Sequence, residues 1–302
     1  MDRLEYTVLP TDEGIPLSQL ARRRMAVSAT LLRQLKSVNG GILLDGEEVF
    51  VNVLPKAGQV VSLSCGKSES SVNVIPQQGN IDIVYEDELM LIPNKPRGIP
   101  VHPSRGHEKD TLANYVAGIF EKQGEVLVFR AINRLDSGTS GLMCIAKTKY
   151  ASALLGKALL EGRIKREYYA LCKGRPDPAE GTIDLPIARI DGRGIMRCVD
   201  PNGQRAVTHY RTLHCQNGVS LLRIELETGR THQIRVHMAH IGHPLLGDFM
   251  YGEEIPGFDR VALHSGRIKI SLPDREIDLE TPPPPCFGRF IDLEVYQGHK
   301  ED

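Results

Sequence analysis

Arg134 and Asp136, separated by one leucine, raise the chemical question first. They lie in the run Arg130-Ala131-Ile132-Asn133-Arg134-Leu135-Asp136-Ser137-Gly138-Thr139-Ser140-Gly141-Leu142, a turn-forming stretch before an apolar segment. A carboxylate beside a fixed guanidinium is held in its ionised form, the opposite charge being worth roughly 1–3 pKa units. An ionised aspartate on a rigid loop can attack carbon or hold a proton. The competing interpretation is structural: a strand-entry turn whose aspartate sits in an ordinary ion pair. Ser140 is not expected to be a nucleophile, because it lacks the Gly-x-Ser-x-Gly spacing and precedes a strand rather than a helix. Its glycine and hydroxyl neighbours suit turn chemistry. His232, His237, His240 and His243 cluster without a cysteine or carboxylate to complete a tight ligand set, so no metal is expected. The chain also has no Walker loop and no Gly-x-Gly-x-x-Gly, which argues against nucleotide hydrolysis and dinucleotide chemistry.

Residues 133–142 resemble the motif His-Arg-Leu-Asp-x-x-Thr-Ser-Gly-Leu of the RluA family of RNA pseudouridine synthases, with Asn133 where the family usually has His. Two further stretches match in the family's order: Arg166-Glu167-Tyr168-Tyr169-Ala170-Leu171, and the long run from Thr228-Gly229-Arg230-Thr231-His232 through Arg235 to Asp248. Upstream, Asn94-Lys95-Pro96-Arg97-Gly98 and Val101-His102-Pro103-Ser104 are similar to the family's opening strand and loop, so the resemblance spans about residues 82–273. It implies that Asp136 is the catalytic aspartate, Tyr168 the active-site tyrosine and Arg235 the basic partner of Asp136. Arg230 is a candidate phosphate contact and the alternative partner for Asp136, and Arg134 a further candidate for RNA contact. The resemblance implies no cofactor.

The elements that must position these residues follow from length and pattern. A chain of 302 residues is expected to form about two domains. The fold class implied is α+β, a mixed, largely antiparallel central sheet flanked by helices, with a smaller α/β unit at the N-terminus. Expected boundaries are 1–65 for the N-terminal unit, 66–81 for a polar linker that lets the units reorient, and 82–302 for the catalytic domain. Ile81 to Pro93 reads as a hairpin, Thr111–Gln123 as a helix capped by Asp110, and Lys147–Gly162 as a second helix. Val207–Leu213, Val219–Leu226 and Val261–Leu272 read as strands, and the prolines 282–285 as a connector before a last strand. Nearer the N-terminus, Leu17, Leu20 and Ala21, then Leu31, Leu32 and Leu35, suit two short helices. Gly40-Gly41 is a turn, and Ile42–Leu44, Val49–Val53 and Lys56–Leu63 look strand-like.

That N-terminal layout is similar to the RNA-binding domain named after small-subunit ribosomal protein S-four. Between Leu20 and Leu44 it carries Arg22, Arg23, Arg24, Arg33 and Lys36 with no acid, a patch expected to meet RNA backbone. The family's usual Ser-Arg pair appears here as Ser28-Ala29. Net charge is −1, so any nucleic-acid surface is local. Six scattered cysteines with no Cys-x-x-Cys pair argue for a reducing compartment. With no signal-peptide core and no run of 18 apolar residues, a cytoplasmic location is expected and no membrane partner.

The function expected is therefore isomerisation of uridine to pseudouridine within a structured loop of ribosomal or transfer RNA, with no obligate protein partner. A rival from another class is an inactive RNA-binding ribosome-assembly factor on the same fold, which Asn133 alone favours. A second rival, a glycosidic hydrolase, needs a second carboxylate, for which Asp248 is the candidate.

Overall fold

A computed structural model describes residues 3–25, 27, 29–64, 74–104 and 106–294. Near the N-terminus, Arg3–Thr7, Val60–Ser64, Ile42–Leu44 and Glu47–Glu48 form a four-stranded antiparallel sheet in that order. The helices Leu17–Arg23 and Ala29–Leu35 pack on it. Their apolar positions meet Val61 and Leu63 of the sheet in a separate core. Each leucine buried there contributes roughly 1.5–3 kcal/mol relative to an exposed one. Val49–Val53 is not a strand: the Val51 and Val53 carbonyls accept the Ser18 and Leu17 amides at 2.8 and 2.9 Å, so the segment supplies partners for the first helix instead of a ladder. Ser28 lies outside the described residues.

The larger body is built on an eleven-stranded sheet. Its central strand, Ile164–Lys173, runs antiparallel to both Val219–Leu226 and Leu263–Ser271. Val207–Gln216 and Glu180–Asp184 extend one side, and Ser140–Leu142, Met90–Lys95, Ile145–Ala146 and Arg130–Ala131 the other. Asp82–Glu86 pairs with Met90–Lys95, and Glu276–Glu280 with Leu263–Ser271, both antiparallel. One pairing is parallel, Ser140–Leu142 against Leu263–Ser271. Gly141 makes it possible: φ is +113° there, and a Cβ would fall 2.2 Å from the Ser265 carbonyl oxygen. The fold is α+β with a mixed, largely antiparallel sheet.

Helices cover both faces. Leu112–Lys122 and Gln233–His240 pack on one through Leu112, Val116, Phe120, Ile234 and Met238. Lys149–Leu160 packs on the other through Ala151, Leu154, Leu155 and Ala158. Tyr150 touches both this second core and the N-terminal one, so the two units meet at that helix. Of the segment read as a linker, 66–73 lie outside the described residues; beyond it the chain is tied to the Leu112–Lys122 helix, with the Gln77 amide donating to the Asn114 carbonyl at 3.0 Å and the Asn114 side chain donating to the Ile75 carbonyl at 2.8 Å.

Two expectations about ends are corrected. The Leu112–Lys122 helix is capped by Thr111 in a capping box with Asn114, not by Asp110. Asp110 has φ +59° and its carboxylate accepts from the Tyr115 hydroxyl at 3.1 Å instead. After the prolines there is no strand among the described residues; Pro285–Arg289 forms a short 3-10 turn that buries Phe287. The last strand, Glu276–Glu280, precedes them.

Candidate active site

The loop carrying Asp136 is held on both sides. Before it, the buried Asn133 accepts the Cys144 amide at 2.9 Å through its side-chain oxygen. The residue that departs from the family motif therefore braces the loop, and nothing ties it to Asp136. After it, the Thr139 amide donates to the Asp136 carbonyl at 3.1 Å and the Gly98 amide to the Ser137 carbonyl at 2.8 Å. Beneath sits Lys95, fully buried, whose three ammonium protons go to the Pro96, Ile99 and Ser137 carbonyls at 2.9, 2.9 and 3.2 Å. Burial draws its pKa down to about 7, while the Asp136 charge acts in the opposite direction. With the backbone pinned, the Asp136 side chain keeps 27% of its surface exposed. It is fixed yet reachable.

Its charge partner comes from the helix Gln233–His240. Gln233 anchors that helix by donating to the Val207 carbonyl and the Thr208 hydroxyl at 2.9 and 3.0 Å. Arg235 then spans two carboxylates. Its Nε and Nη2 each meet an oxygen of fully buried Asp248 at 2.7 Å, and its Nη1 points at Asp136 Oδ2 at 3.4 Å. Burial works against the Arg235 charge, but Asp248, and after it Asp136 and Tyr251, outweigh it and hold the guanidinium charged. Asp248 also accepts the Met250 and Tyr251 amides at 3.1 and 3.2 Å. Both its oxygens are thus engaged, which removes the second free carboxylate that glycosidic hydrolysis would need.

Sequence reasoning missed His232 and Tyr251. His232 adopts φ +58° at the start of the helix, a left-handed conformation uncommon outside glycine. Its Nδ1 lies 2.8 Å from the Tyr251 hydroxyl and its Nε2 3.8 Å from Asp136. The Tyr251 hydroxyl accepts the Arg197 amide at 2.9 Å, so its own proton is available for Nδ1, which leaves Nε2–H facing Asp136. Burial lowers the His232 pKa against the Asp136 charge, which raises it. The Tyr251 ring lies under the Arg235 guanidinium, 5.1 Å away. A motif scan had no means of joining Tyr251 to residues 54 positions earlier.

Tyr168 and Tyr169 face opposite sides of their strand, as alternation requires. Tyr168 is buried with the core on the Asp136 side, its hydroxyl interacting with Ser265 and Arg166. Burial raises its pKa and the Asp136 charge adds to that, so the phenol keeps its proton. Tyr169 lies in another cluster and donates to Glu280 at 2.8 Å. The other candidates divide sharply. No ion pair joins Arg134 or Arg230 to Asp136 among the described residues: Arg230 donates from Nε to the Arg205 carbonyl at 3.0 Å, and both side chains line a cavity beside the loop. Proximity in sequence misled for Arg134, whose side chain lines the neighbouring cavity instead. In the N-terminal unit Arg22, Arg23, Arg33 and Lys36 are exposed. Arg24 is not a free cation: it forks onto buried Asp12 at 3.0 and 2.8 Å, an acid from outside the basic stretch. His237 satisfies buried groups, with Nδ1 on the Thr208 hydroxyl and Nε2 on the Leu185 carbonyl, both at 2.9 Å.

A fixed, accessible aspartate beside a buried arginine and a protonated tyrosine can exchange a bond and a proton with a group placed between them. The family profile described as RNA pseudouridylate synthase matches residues 89–240, and the RNA pseudouridine synthase YhcT of Bacillus subtilis (strain 168) is 38% identical over 285 residues, 93% of this chain and 94% of the relative. The chain belongs to the RluA family of RNA pseudouridine synthases. The ribosomal large subunit pseudouridine synthase D of Escherichia coli (strain K12) is 36% identical over 304 aligned positions, covering 92% of this chain and 89% of that protein. Among solved structures, human RNA pseudouridylate synthase domain containing 1 superposes with a TM-score of 0.57 at 27% identity, over 71% of this chain and 89% of that one. As a pseudouridine synthase the chain is an isomerase, and the cleft around Asp136 is the part of the described structure that brings the family's motifs together. No helix among the described residues is long and apolar enough to cross a membrane.

Proposed function

We propose that this synthase isomerises a uridine in a structured loop of large-subunit ribosomal RNA, with Asp136, Tyr168 and Arg235 as its catalytic residues and without a cofactor. The observation that carries the residue assignment is the division of Arg235 between two carboxylates: Asp248 takes two of its donors at 2.7 Å and aims the third at Asp136. Such an arrangement sets a positive charge against Asp136 and orients its carboxylate before substrate arrives, which is where electrostatic catalysis obtains its advantage. The ribosomal assignment rests on the relative from Escherichia coli, whose name specifies the large subunit.

In this scheme the target uridine leaves its stack, at a cost of a few kcal/mol that is least in unpaired loops. The Tyr168 ring stacks on the extruded uracil, an interaction worth roughly 1–3 kcal/mol. Asp136 attacks, or assists removal of a proton from, the ribose or the base; the glycosidic bond from nitrogen breaks, the uracil turns in the pocket and rejoins through a ring carbon, which gives up its proton while the freed nitrogen takes one up, so that the atoms balance. The Tyr168 hydroxyl stands near the proton that moves. The N-terminal unit, with its two helices on a four-stranded sheet, acts as an S-four-like RNA-binding domain through Arg22, Arg23, Arg33 and Lys36. Its site of action is the cytoplasm, in keeping with the free thiols of Cys144, Cys172, Cys198, Cys215 and Cys286.

Pseudouridine mapping across ribosomal and transfer RNA, from cells with and without the gene, tests the proposal. One or more large-subunit positions should lose pseudouridine in the deletion and regain it with the purified protein. A loss confined to transfer RNA overturns the substrate assignment, and no loss anywhere overturns the activity in this chain.

A further inference from the structure

Beside the Asp136 loop, Arg134, Arg189, Arg197 and Arg230 line one cavity of about 410 Å³. None of the four is paired with a carboxylate among the described residues. Arg205 nearby shows the contrast: Asp184 and Glu227 compensate it at 3.7 and 3.3 Å. The bonds that three of the four make go to backbone carbonyls. Arg189 Nε donates to Gly194 at 2.7 Å, Arg197 Nη1 to Ile195 and Met196 at 2.8 and 3.1 Å, and Arg230 Nε to Arg205 at 3.0 Å. Such bonds orient a guanidinium without neutralising it.

Two further observations point to an anion. Ile187–Arg189 and Arg197–Val199 form a two-stranded antiparallel sheet whose register sets Arg189 directly opposite Arg197. Like charges in directly opposed positions destabilise a hairpin; a shared anion reverses the sign. The hairpin is also docked on the reaction cleft, since the Arg197 amide donates to the Tyr251 hydroxyl that contacts His232. Independently, Arg166 is a guanidinium only 6% exposed, with its Nε buried and unpartnered. It reaches Gly229, which lines the same cavity: a Cβ on that glycine would stand 3.3 Å from Arg166 Nη1. Among the described residues no carboxylate pairs with Arg166, and the Tyr168 hydroxyl that contacts it is neutral, so the buried charge stays uncompensated, a cost reduced when an anion binds within reach.

We propose that this cavity is a phosphodiester site, which seats a backbone phosphate of the RNA strand adjacent to the target uridine, with Arg189 and Arg197 gripping it across the hairpin and Arg166 backing it behind Gly229. The proposal rests on the pseudouridine synthase function and adds what holds the strand while the uridine is turned out. Arg189 and Arg197 are binding residues in it, and Arg166 positions charge from below.

The test reads binding, so it is answered separately from turnover. Full-length protein is bound to a fluorescein-labelled large-subunit rRNA transcript, and three competitors displace it: uridine, uridine 3′,5′-bisphosphate and a single-stranded RNA oligonucleotide. For wild type the bisphosphate should compete at a concentration at least about ten-fold below uridine, and the oligonucleotide lower still. In Arg189→Gln/Arg197→Gln, which removes both charges and keeps amide donors at the two positions, that advantage should fall below about two-fold, with the melting temperature recorded to show that the variant is folded. The salt slope for transcript binding should also flatten by roughly 0.7 per lost phosphate contact. Arg166→Met should reproduce the loss of advantage if it folds; the hairpin variant decides the matter if it does not. A bisphosphate no better than uridine on wild type, or an advantage that survives in the hairpin variant, overturns the site. A bisphosphate that matches the oligonucleotide overturns its assignment to a polynucleotide. Failure of pseudouridine formation with this ordering intact would instead overturn the activity alone.

Discussion

The reaction cleft and the N-terminal unit are both rich in arginine, and they use it in opposite ways. In the cleft, Arg235 is 5% exposed and Arg166 6% exposed, and each is aimed by neighbours at a particular place. In the N-terminal unit, Arg22, Arg23, Arg33 and Lys36 stand in solvent. Arg24, though itself exposed, is aimed as the cleft arginines are, forked onto Asp12. The difference teaches how charge is valued. A buried guanidinium acts through one geometry in a weakly screened environment and cannot be moved without consequence, whereas exposed cations act through counterion release and add nearly independently. Substitutions in the cleft should therefore be large and specific, those in the N-terminal unit small and additive.

The largest effect is expected from Asp136→Asn, nearly isosteric, which should abolish pseudouridine formation while leaving the melting temperature and RNA affinity unchanged. Measurable turnover in single-turnover assays would remove Asp136 from the chemistry. Arg235→Ala comes next and should act twice, cutting the rate sharply and leaving Asp248 buried and unpaired, at a cost of about 3–5 kcal/mol by denaturant unfolding. Arg230→Ala, by contrast, should weaken RNA binding with little change in rate. If Arg230→Ala harms the chemical step more, Arg235 is not the partner of Asp136.

Tyr168→Phe should keep the ring and stall the reaction, with a loss of roughly 10²–10⁴ in single-turnover rate for a group that moves a proton. A wild-type rate would reduce Tyr168 to a stacking platform, and a damaging Tyr169→Phe would place the wrong face of the strand toward the cleft.

Acid should separate the two regions. Burial, with the Arg260 charge adding to it, lowers the His264 pKa to about 4, from 6.5 in the unfolded chain. Between those values the unfolded chain binds a proton that the folded one refuses, so stability falls as pH drops, by about 3 kcal/mol at pH 4. His232 and His237 are lowered in the same direction by burial. Residues 1–64 contain no histidine, and the Tyr6 and Arg24 hydrogen bonds hold the Asp12 pKa below the usual carboxylate range. Amide protection factors, corrected for the intrinsic exchange rate at each pH, should therefore fall between pH 6.5 and 4 in the larger body before the N-terminal unit; the reverse order would contradict the burial argument.

The smallest effect per residue belongs to the exposed cations. Neutralising three of Arg22, Arg23, Arg33 and Lys36 should weaken RNA binding and flatten the log–log salt slope by roughly 0.7–0.9 for each. Turnover at saturating RNA should fall less than affinity. An unchanged slope would mean that these side chains are merely solvated.

Much of the scaffold was readable before folding was considered, and the exceptions have physical causes. The alternation that separates Tyr168 from Tyr169, the helices on Leu17 to Leu20 and Leu31 to Leu35, and the strands around 207–226 all follow from a period of 2 or 3.6 in apolar residues, a local property of the chain. Val49–Val53 has the composition of a strand, yet its carbonyls go to the first helix, because a strand also needs a partner in register. Asp110 and Thr111 are both good caps, and backbone angles chose between them. For Asp136, spacing alone offered Arg134 two residues away, whereas Arg235, which the family resemblance implied as its partner, is 99 positions distant and is brought to 3.4 Å only by the fold.

By itself, then, the sequence determined the apolar periodicities, the turn at Ser137-Gly138 and the motifs that mark the family. Only the tertiary structure decided which charges meet: Arg235 with Asp248 and Asp136, Arg24 with Asp12, Lys95 with the Ser137 carbonyl, and Tyr251 between His232 and Arg197. Periodicity is written in consecutive residues, so it can be read along the chain. An ion pair or a buried hydrogen bond depends on the distance between groups from remote segments, and its strength depends on how much water the surrounding fold excludes, neither of which exists until the sheet has assembled.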